Sequence, residues 1–469
     1  MTSTMNAELC RITVHGPGGQ ADLAVPISTT VSALLPVLVR NVVREEDVAG
    51  GSEEYGSWVL QRLGEAPFDP DGTPETLDWF EGEEFHLAPA ADPLPELDFD
   101  DIADGMATAV NRHSNRWNET INRRLFLGLA SLAFGTIGLT LLSGVADAVA
   151  ATTAGVLALI LAVAAVLVAR TLADRVLAAV IGLPGCLFAA LAGMVGTEGV
   201  QGTLELRPDG VLIGGVAMTV TAVALLIVQR LFAQDLPIVP FGCAAVAGFG
   251  AILAVWMHTI FEFSPQQNAG VLVAMFFLVT LFAPKLATRA ARLRGPQLPR
   301  TGDELKIDVE PAPAEEVVTQ TGHADRYLSV LAIGASAVIA AGLWYLIEDP
   351  TWVTYTLTGL FTVLVLLRSR EFLNVGQRLA FAAAGSWGVM LFALSMLSSF
   401  EDVWRVVGVL VLLGAALLLV LAALREQYRR VLPIWPHLGN IAENLFALAS
   451  VPLLLQLLGV FAWARGLAG

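Results

Sequence analysis

The side chains able to do chemistry are few and scattered. The chain of 469 residues has six His and three Cys. Cys10, Cys186 and Cys243 lie far apart, the last two inside apolar runs, which fits reduced, packed thiols and neither a disulfide framework nor a metal cage. His15 and His86 fall on strand-like stretches without clustered Cys or carboxylates at metal spacing, so no metal role is expected of them. There is no phosphate-binding glycine loop followed by Lys and Ser or Thr, no HExxH and no serine nucleophile elbow. Neither a cofactor nor a nucleic-acid partner is expected. What remains is one charged stretch between long apolar runs, "KLATRAARLRGPQLPRTGDELKIDVEPAPAEE" from Lys285 to Glu316. Its basic residues Arg289, Arg292, Arg294 and Arg300, ahead of an acidic run, suit electrostatic docking of a neighbouring subunit; the other reading is that they rest on anionic lipid headgroups.

The elements that would carry these groups follow from composition. Hydrophobic residues make up 55% of the chain and charged ones 15%, whereas soluble domains are about a quarter charged. This is the composition of a membrane protein. Its charge is uneven: residues 1 to 101 hold 20 Asp and Glu against four Arg, which accounts for the whole net charge of −16. An acidic, soluble head therefore precedes a nearly neutral membrane body.

In the head, "LCRITVHG", "PGGQ" and "ADLAVPI" read as a β-hairpin, and "TTVSALLPVLVRNVV" places Val31, Leu34, Leu35, Leu38 and Val42 at helical spacing behind Thr29 or Thr30. Strand-like segments follow near Ser57 to Leu63 and Glu84 to Ala88. The resulting β-β-α-β-β order over residues 1–90, with the late segment "TLDWFEGEEFHLAP", resembles the ubiquitin-like fold. Residues 91–124 read as a cytoplasmic linker, acidic first and then helical, ending in Arg123 and Arg124 at the membrane edge.

A hydrocarbon core about 30 Å thick needs about 20 apolar residues per helix. Eleven segments between Leu125 and Ala464 qualify, so the fold class is mainly α, a polytopic body (residues 125–469) interrupted by a cytoplasmic loop over 287–326. With the head inside, twenty Lys and Arg fall on one face of the membrane and three (Arg207, Arg405, Arg465) on the other, which predicts a cytoplasmic N-terminal domain and a periplasmic C-terminus.

A coupled carrier needs ionisable groups at mid-membrane. Here His258, Glu262, Lys285 and Glu443 fall near span ends, from which they can snorkel. Gln456, the most central strongly polar residue, is expected to make a helix–helix hydrogen bond, and the pairs Ser131/Gly135, Ala244/Gly248 and Ser336/Ala340 to permit close helix packing. A secondary transporter with a regulatory head is the alternative reading.

An acidic ubiquitin-like head joined to eleven spans resembles the EccD family, a membrane component of type VII (ESX) secretion systems of mycobacteria and their relatives. The likeness is carried by "CRITVHGPGGQADLAVPISTTVSALLPVLV", "TLDWFEGEEFHLAP" and the span count. The resemblance implies a non-catalytic scaffold in the bacterial inner membrane. Two copies would associate in each protomer and enclose a lipid-accessible vestibule. Their heads would bind EccB, EccE and the ATPase EccC, in a machine of six protomers exporting WXG-type heterodimers and PE/PPE proteins.

Overall fold

The computed structural model describes residues 9–43, 58–90, 117, 119–293, 313–424 and 434–467. Two compact units divide the chain between Asn118 and Glu119.

The first unit is the head: β1 (Leu9–Gly16), β2 (Gly19–Pro26), α1 (Val31–Val42), β3 (Trp58–Gln61) and β4 (Glu83–Pro89). The sheet order is β2-β1-β4-β3, with β1 and β4 parallel and the outer pairs antiparallel. Alternation sends Cys10, Ile12 and Val14 of β1 inward, where they meet Leu34, Leu38 and Val42 of α1. Thr30 occupies the N-cap position but makes no side-chain cap bond. Trp79 packs on Phe85 with ring centroids 4.5 Å apart. Arg62 ties the region between β3 and β4 together: its Nε donates to Glu83 at 2.6 Å, and its Nη2 to the Leu77 and Asp78 carbonyls. This is a small α/β domain of ubiquitin-like order.

His15 and His86 are register partners across β1 and β4, their rings stacked at 5.1 Å. Burial, then the neighbouring His15, push the His86 imidazole below its ordinary range, against a smaller opposing pull from Glu84. The folded head therefore binds its proton later than the unfolded chain does. That contribution to stability is complete above the unfolded value of about 6.5 and is lost as pH falls through it toward the folded value. A fragment of residues 1–118 is expected to melt at lower temperature at pH 5.5 than at pH 7.5, and His86→Gln should flatten the dependence in thermal scans followed by circular dichroism.

The second unit contains α2 (Glu119–Leu141), α3 (Asp147–Thr171), α4 (Arg175–Leu204), α5 (Pro208–Leu231), α6 (Ile238–Phe261), α7 (Pro265–Ala290), α8 (Ala314–Glu348), α9 (Trp352–Arg368), α10 (Val375–Ser398), α11 (Asp402–Ala423), α12 (Ile434–Leu457) and the short α13 (Val460–Leu467). Eleven of these, α2 to α12, are long and apolar enough to cross a membrane. Ala150, Ala154, Ala158, Leu161, Ala165 and Ala169 form the buried stripe of α3; side chains this small let it approach α4 closely. The largest buried cluster joins α6 through α10 and includes Phe276, Ile339, Leu343, Leu357, Phe361 and Phe381.

Several boundaries differ from those read off hydropathy. α2 starts at Glu119, inside the expected linker, and stops at Leu141, where Ser143 and Gly144 (φ 80°) break it. The expected loop over 287–326 is shorter, because α7 runs on to Ala290 and α8 begins at Ala314. Hydropathy sees only the apolar part of such helices, whereas Glu315 and Glu316 favour the positive end of the α8 dipole and extend it into polar sequence. The eleventh apolar run, expected to be continuous to Ala464, breaks at Gly459, whose φ of 75° separates α12 from α13.

Candidate functional site: polar seams at the two ends of the helix bundle

Among the described residues, the ion pairs of the body lie toward the helix ends. At the end shared by the start of α2 and the start of α4, Arg123 pairs with Asp174, and Arg175 pairs with Asp235 at 3.1 Å. Asp174 also caps α4, accepting from the Val176 and Leu177 backbone N–H groups. The Leu177 amide, with Arg123 and the Val176 amide adding to it, holds this carboxylate below the usual Asp range against the opposing effect of burial. At the opposite end Asp147 accepts from the Val200 amide at 2.9 Å, Arg207 joins Glu205 and Glu198, and Gln266 donates to Asp349. The odd and even helices thus meet alternately at two ends, as spans threaded back and forth must.

One seam lies deeper. Arg368, at the end of α9, pairs with Glu443 of α12 at 3.4 Å, and their side chains are only 14% and 10% exposed. Arg368 Nη2 also donates to the Thr280 carbonyl of α7 at 3.1 Å. That carbonyl needs an outside donor because the residue four positions on is Pro284, which has no N–H to close the helical bond. One guanidinium therefore satisfies an acceptor orphaned by a proline and a buried carboxylate, and joins three helices. Near it, Arg370 packs against Gly439 of α12. The expectation that Glu443 reaches an interface is corrected: it is enclosed and paired, about two turns in from the start of α12.

A second seam joins α8 to α10. Asp325 accepts from Asn374 at 2.9 Å and from Gln377 at 3.0 Å, while Gln377, 1% exposed, also donates to Ser329 at 2.8 Å. Asn374 additionally caps α10 through the Gly376 amide. Farther along the same pair, Trp387 Nε1 donates to the Ala340 carbonyl at 3.2 Å.

The expected site residues separate. Arg289 lies exposed in the last turn of α7, and Arg292 is exposed with a left-handed φ of 59°. Arg294, Arg300 and the acidic stretch as far as Ala312 lie outside the described residues. Gln456 does not make the expected helix–helix bond among the described residues; it lines a recess with Trp352, Phe461 and Arg465. The bond at that level comes from Gln267, which completes a capping box with Ser264 and donates to the Leu457 carbonyl. Of the small-residue pairs, Ala244/Gly248 does bring backbones together: a Cβ on Gly248 would stand 2.8 Å from the Gly215 carbonyl oxygen of α5. Ser131/Gly135 does not, since a Cβ on Gly135 would meet no atom within 4 Å.

Chemically, this is an arrangement for holding helices. Among the described residues no group of three or more His, Cys, Asp or Glu converges to hold a metal. The Arg368–Glu443 pair joins α9 to α12 as one neutralised, largely enclosed pair.

Residues 122–467 match the EccD-like transmembrane domain. The chain belongs to the EccD family. Its head, residues 9–87, matches YukD of the WXG100 protein secretion system. This EccD-family chain is 25% identical to the ESX-3 secretion system protein EccD3 of Mycobacterium tuberculosis H37Rv, an alignment covering 97% of this chain and 98% of the relative. It is 26% identical to the ESX-4 secretion system protein eccD4 of the same strain, over 72% of this chain and 71% of that one. Among solved structures, a chain in protomer 1 of the ESX-3 core complex superposes with a TM-score of 0.56 at 20% identity, covering 97% of this chain and all of the other. A chain of the MycP5-free ESX-5 inner membrane complex in State II gives 0.52 at 20% identity, over 89% of this chain. These likenesses are of fold, and they extend across both head and body. The EccD-family chain is accordingly a multi-pass membrane component of a type VII, or ESX, secretion system.

Proposed function

We propose that this chain is a non-catalytic scaffold of the type VII inner-membrane complex. Two copies associate in each protomer, and their spans enclose a lipid-accessible vestibule. The head and the segment around Arg289, Arg292, Arg294 and Arg300 dock the EccC ATPase and the EccB and EccE subunits, for export of WXG-type and PE/PPE proteins. The observation that carries this reading is the match of nearly the whole body, residues 122–467, to the EccD transmembrane domain. A body in which the buried Arg368–Glu443 pair and the Gln377 and Trp387 bonds join helices supports it, as does the acidic head, whose fold alone supplies no chemistry. The spans themselves offer surface for assembly: α11 has no buried residue, and Leu141 is the only one in α2. The excess of Lys and Arg on the side holding Arg123, Arg175 and Arg289 supports a cytoplasmic head and a periplasmic C-terminus.

The docking role of the basic segment has a direct test. Replacing Arg289, Arg292 and Arg294 together by Ser should leave membrane insertion unchanged while the amount of partner recovered with the tagged chain falls severalfold, more steeply at raised salt because such contacts are screened. Recovery equal to wild type at every salt concentration would remove the segment from the docking surface.

A further inference from the structure

Beside α2 lies a cleft of about 580 Å³ lined by Ser131 and Gly135 of α2, Leu142 just past its end, Ala179 and Phe188 of α4, and Pro240 of α6. Its walls are almost wholly apolar. Ser131 spends its hydroxyl on the Leu127 carbonyl at 2.9 Å, and Gly135 leaves open space where a side chain would be. The cleft persists because α2 barely packs: Leu141 is its one buried residue, and the Arg123–Asp174 pair holds its other end.

Three features decide what fills it. The first is size: the volume falls within the range of about 300–1,000 Å³ that takes one small ligand. A further transmembrane helix, some 10 Å across and 30 Å long, displaces on the order of 2,000 Å³. The second is length: Ser131 to Leu142 spans about 17 Å of helix rise, close to the depth of one leaflet of a core about 30 Å thick. The third is charge. Arg124 stands seven residues before Ser131 and eighteen before Leu142, spacings that return to one helical face, so it lies on the same stripe about 10 Å beyond the mouth of the cleft. It is exposed and has no acidic partner among the described residues.

We propose that this cleft holds one acyl chain of an anionic phospholipid from the leaflet at the Arg124 end, with the guanidinium of Arg124 taking the phosphate. The lipid completes the packing of α2 against α4, so the first span is seated partly on lipid. The site does not depend on the secretion reading, because it is formed within a single copy of the chain.

The test uses the full chain reconstituted in bilayers containing equal amounts of phosphatidylglycerol and phosphatidylcholine, then released into mild detergent and weighed intact by native mass spectrometry. Wild type should retain one phospholipid per chain, predominantly phosphatidylglycerol. Gly135→Leu fills the cleft without meeting another atom at its Cβ and should lose that lipid, with helical content and melting temperature showing that it still folds. Ala133→Leu, on the opposite face of α2, should keep it. Arg124→Gln should retain lipid with the two headgroups in equal amounts. The proposal is overturned by wild-type retention in Gly135→Leu, by no headgroup preference in wild type, or by absence of retained lipid. Cross-linking of a Gly135→Cys variant to another polypeptide in native membranes would also overturn it, since a protein helix would then occupy the cleft.

Discussion

Glu443→Ala should destabilise the membrane body by about 3–5 kcal/mol, the range for breaking a buried ion pair from one side. The cost arises because Arg368, with its side chain only 14% exposed, keeps its charge but loses the carboxylate that offsets it. Arg368→Ala should cost a similar amount for two reasons: it strands Glu443 and removes the donor to the Thr280 carbonyl. Arg368→Lys should not rescue it fully, because one ammonium cannot reproduce the fork that reaches both acceptors. Replacing the pair together, Arg368→Met with Glu443→Leu, should recover most of the loss. It still leaves the Thr280 carbonyl without a donor, a penalty of about 1–3 kcal/mol; adding Pro284→Ala, which restores a backbone N–H, should return that share. Unfolding in mixed micelles, read by circular dichroism across the series, checks each step. A single Glu443→Ala variant as stable as wild type would show that the pair is solvated and the seam incidental.

Gly248→Leu should disrupt the packing of α5 on α6 and destabilise the body by at least the roughly 1–3 kcal/mol typical of an overpacked core. At this crossing the new Cβ would press on the Gly215 carbonyl oxygen at 2.8 Å and on the Thr219 hydroxyl. Thr219 cannot swing aside cheaply, because its Oγ1 is bonded to the Gly215 carbonyl at 2.8 Å. The same substitution at Gly135 enters open space and should leave stability unchanged. Melting temperatures of the two leucine variants side by side make the comparison; similar values would mean that the α5–α6 approach is looser than described.

That contrast marks where sequence stops being informative. Small residues four apart were visible at both sites, yet the motif states only that helices can approach; whether they do depends on neighbours such as Gly215 that sequence does not bring together. The head was legible almost element by element, because period-two alternation in "LCRITVHG" and helical spacing from Val31 to Val42 are local signals. The eleven spans were legible too, since apolar length is dictated by the bilayer. Their ends were not, because helices continue into polar sequence where hydropathy falls silent, as Ala314 to Arg326 do in α8.

The Arg368–Glu443 seam was missed for a related reason. Each residue lies near the end of its own apolar run and reads as an interfacial charge, and only the fold places them together. One local clue existed. Pro284 inside an apolar run guarantees an orphan carbonyl at Thr280, and an orphan carbonyl in a membrane calls for a donor. Sequence did not say which of several arginines would supply it.

The central claim is that this EccD-family chain acts as a scaffold within a larger membrane machine. The most direct measurement is to tag its C-terminus, extract it gently from native membranes and determine the mass and composition of what co-purifies. The account predicts a large assembly containing a separate ATPase chain, with two copies of this chain for each ATPase. A small oligomer of this chain alone, stable without partners and moving a solute across liposome membranes, would contradict it.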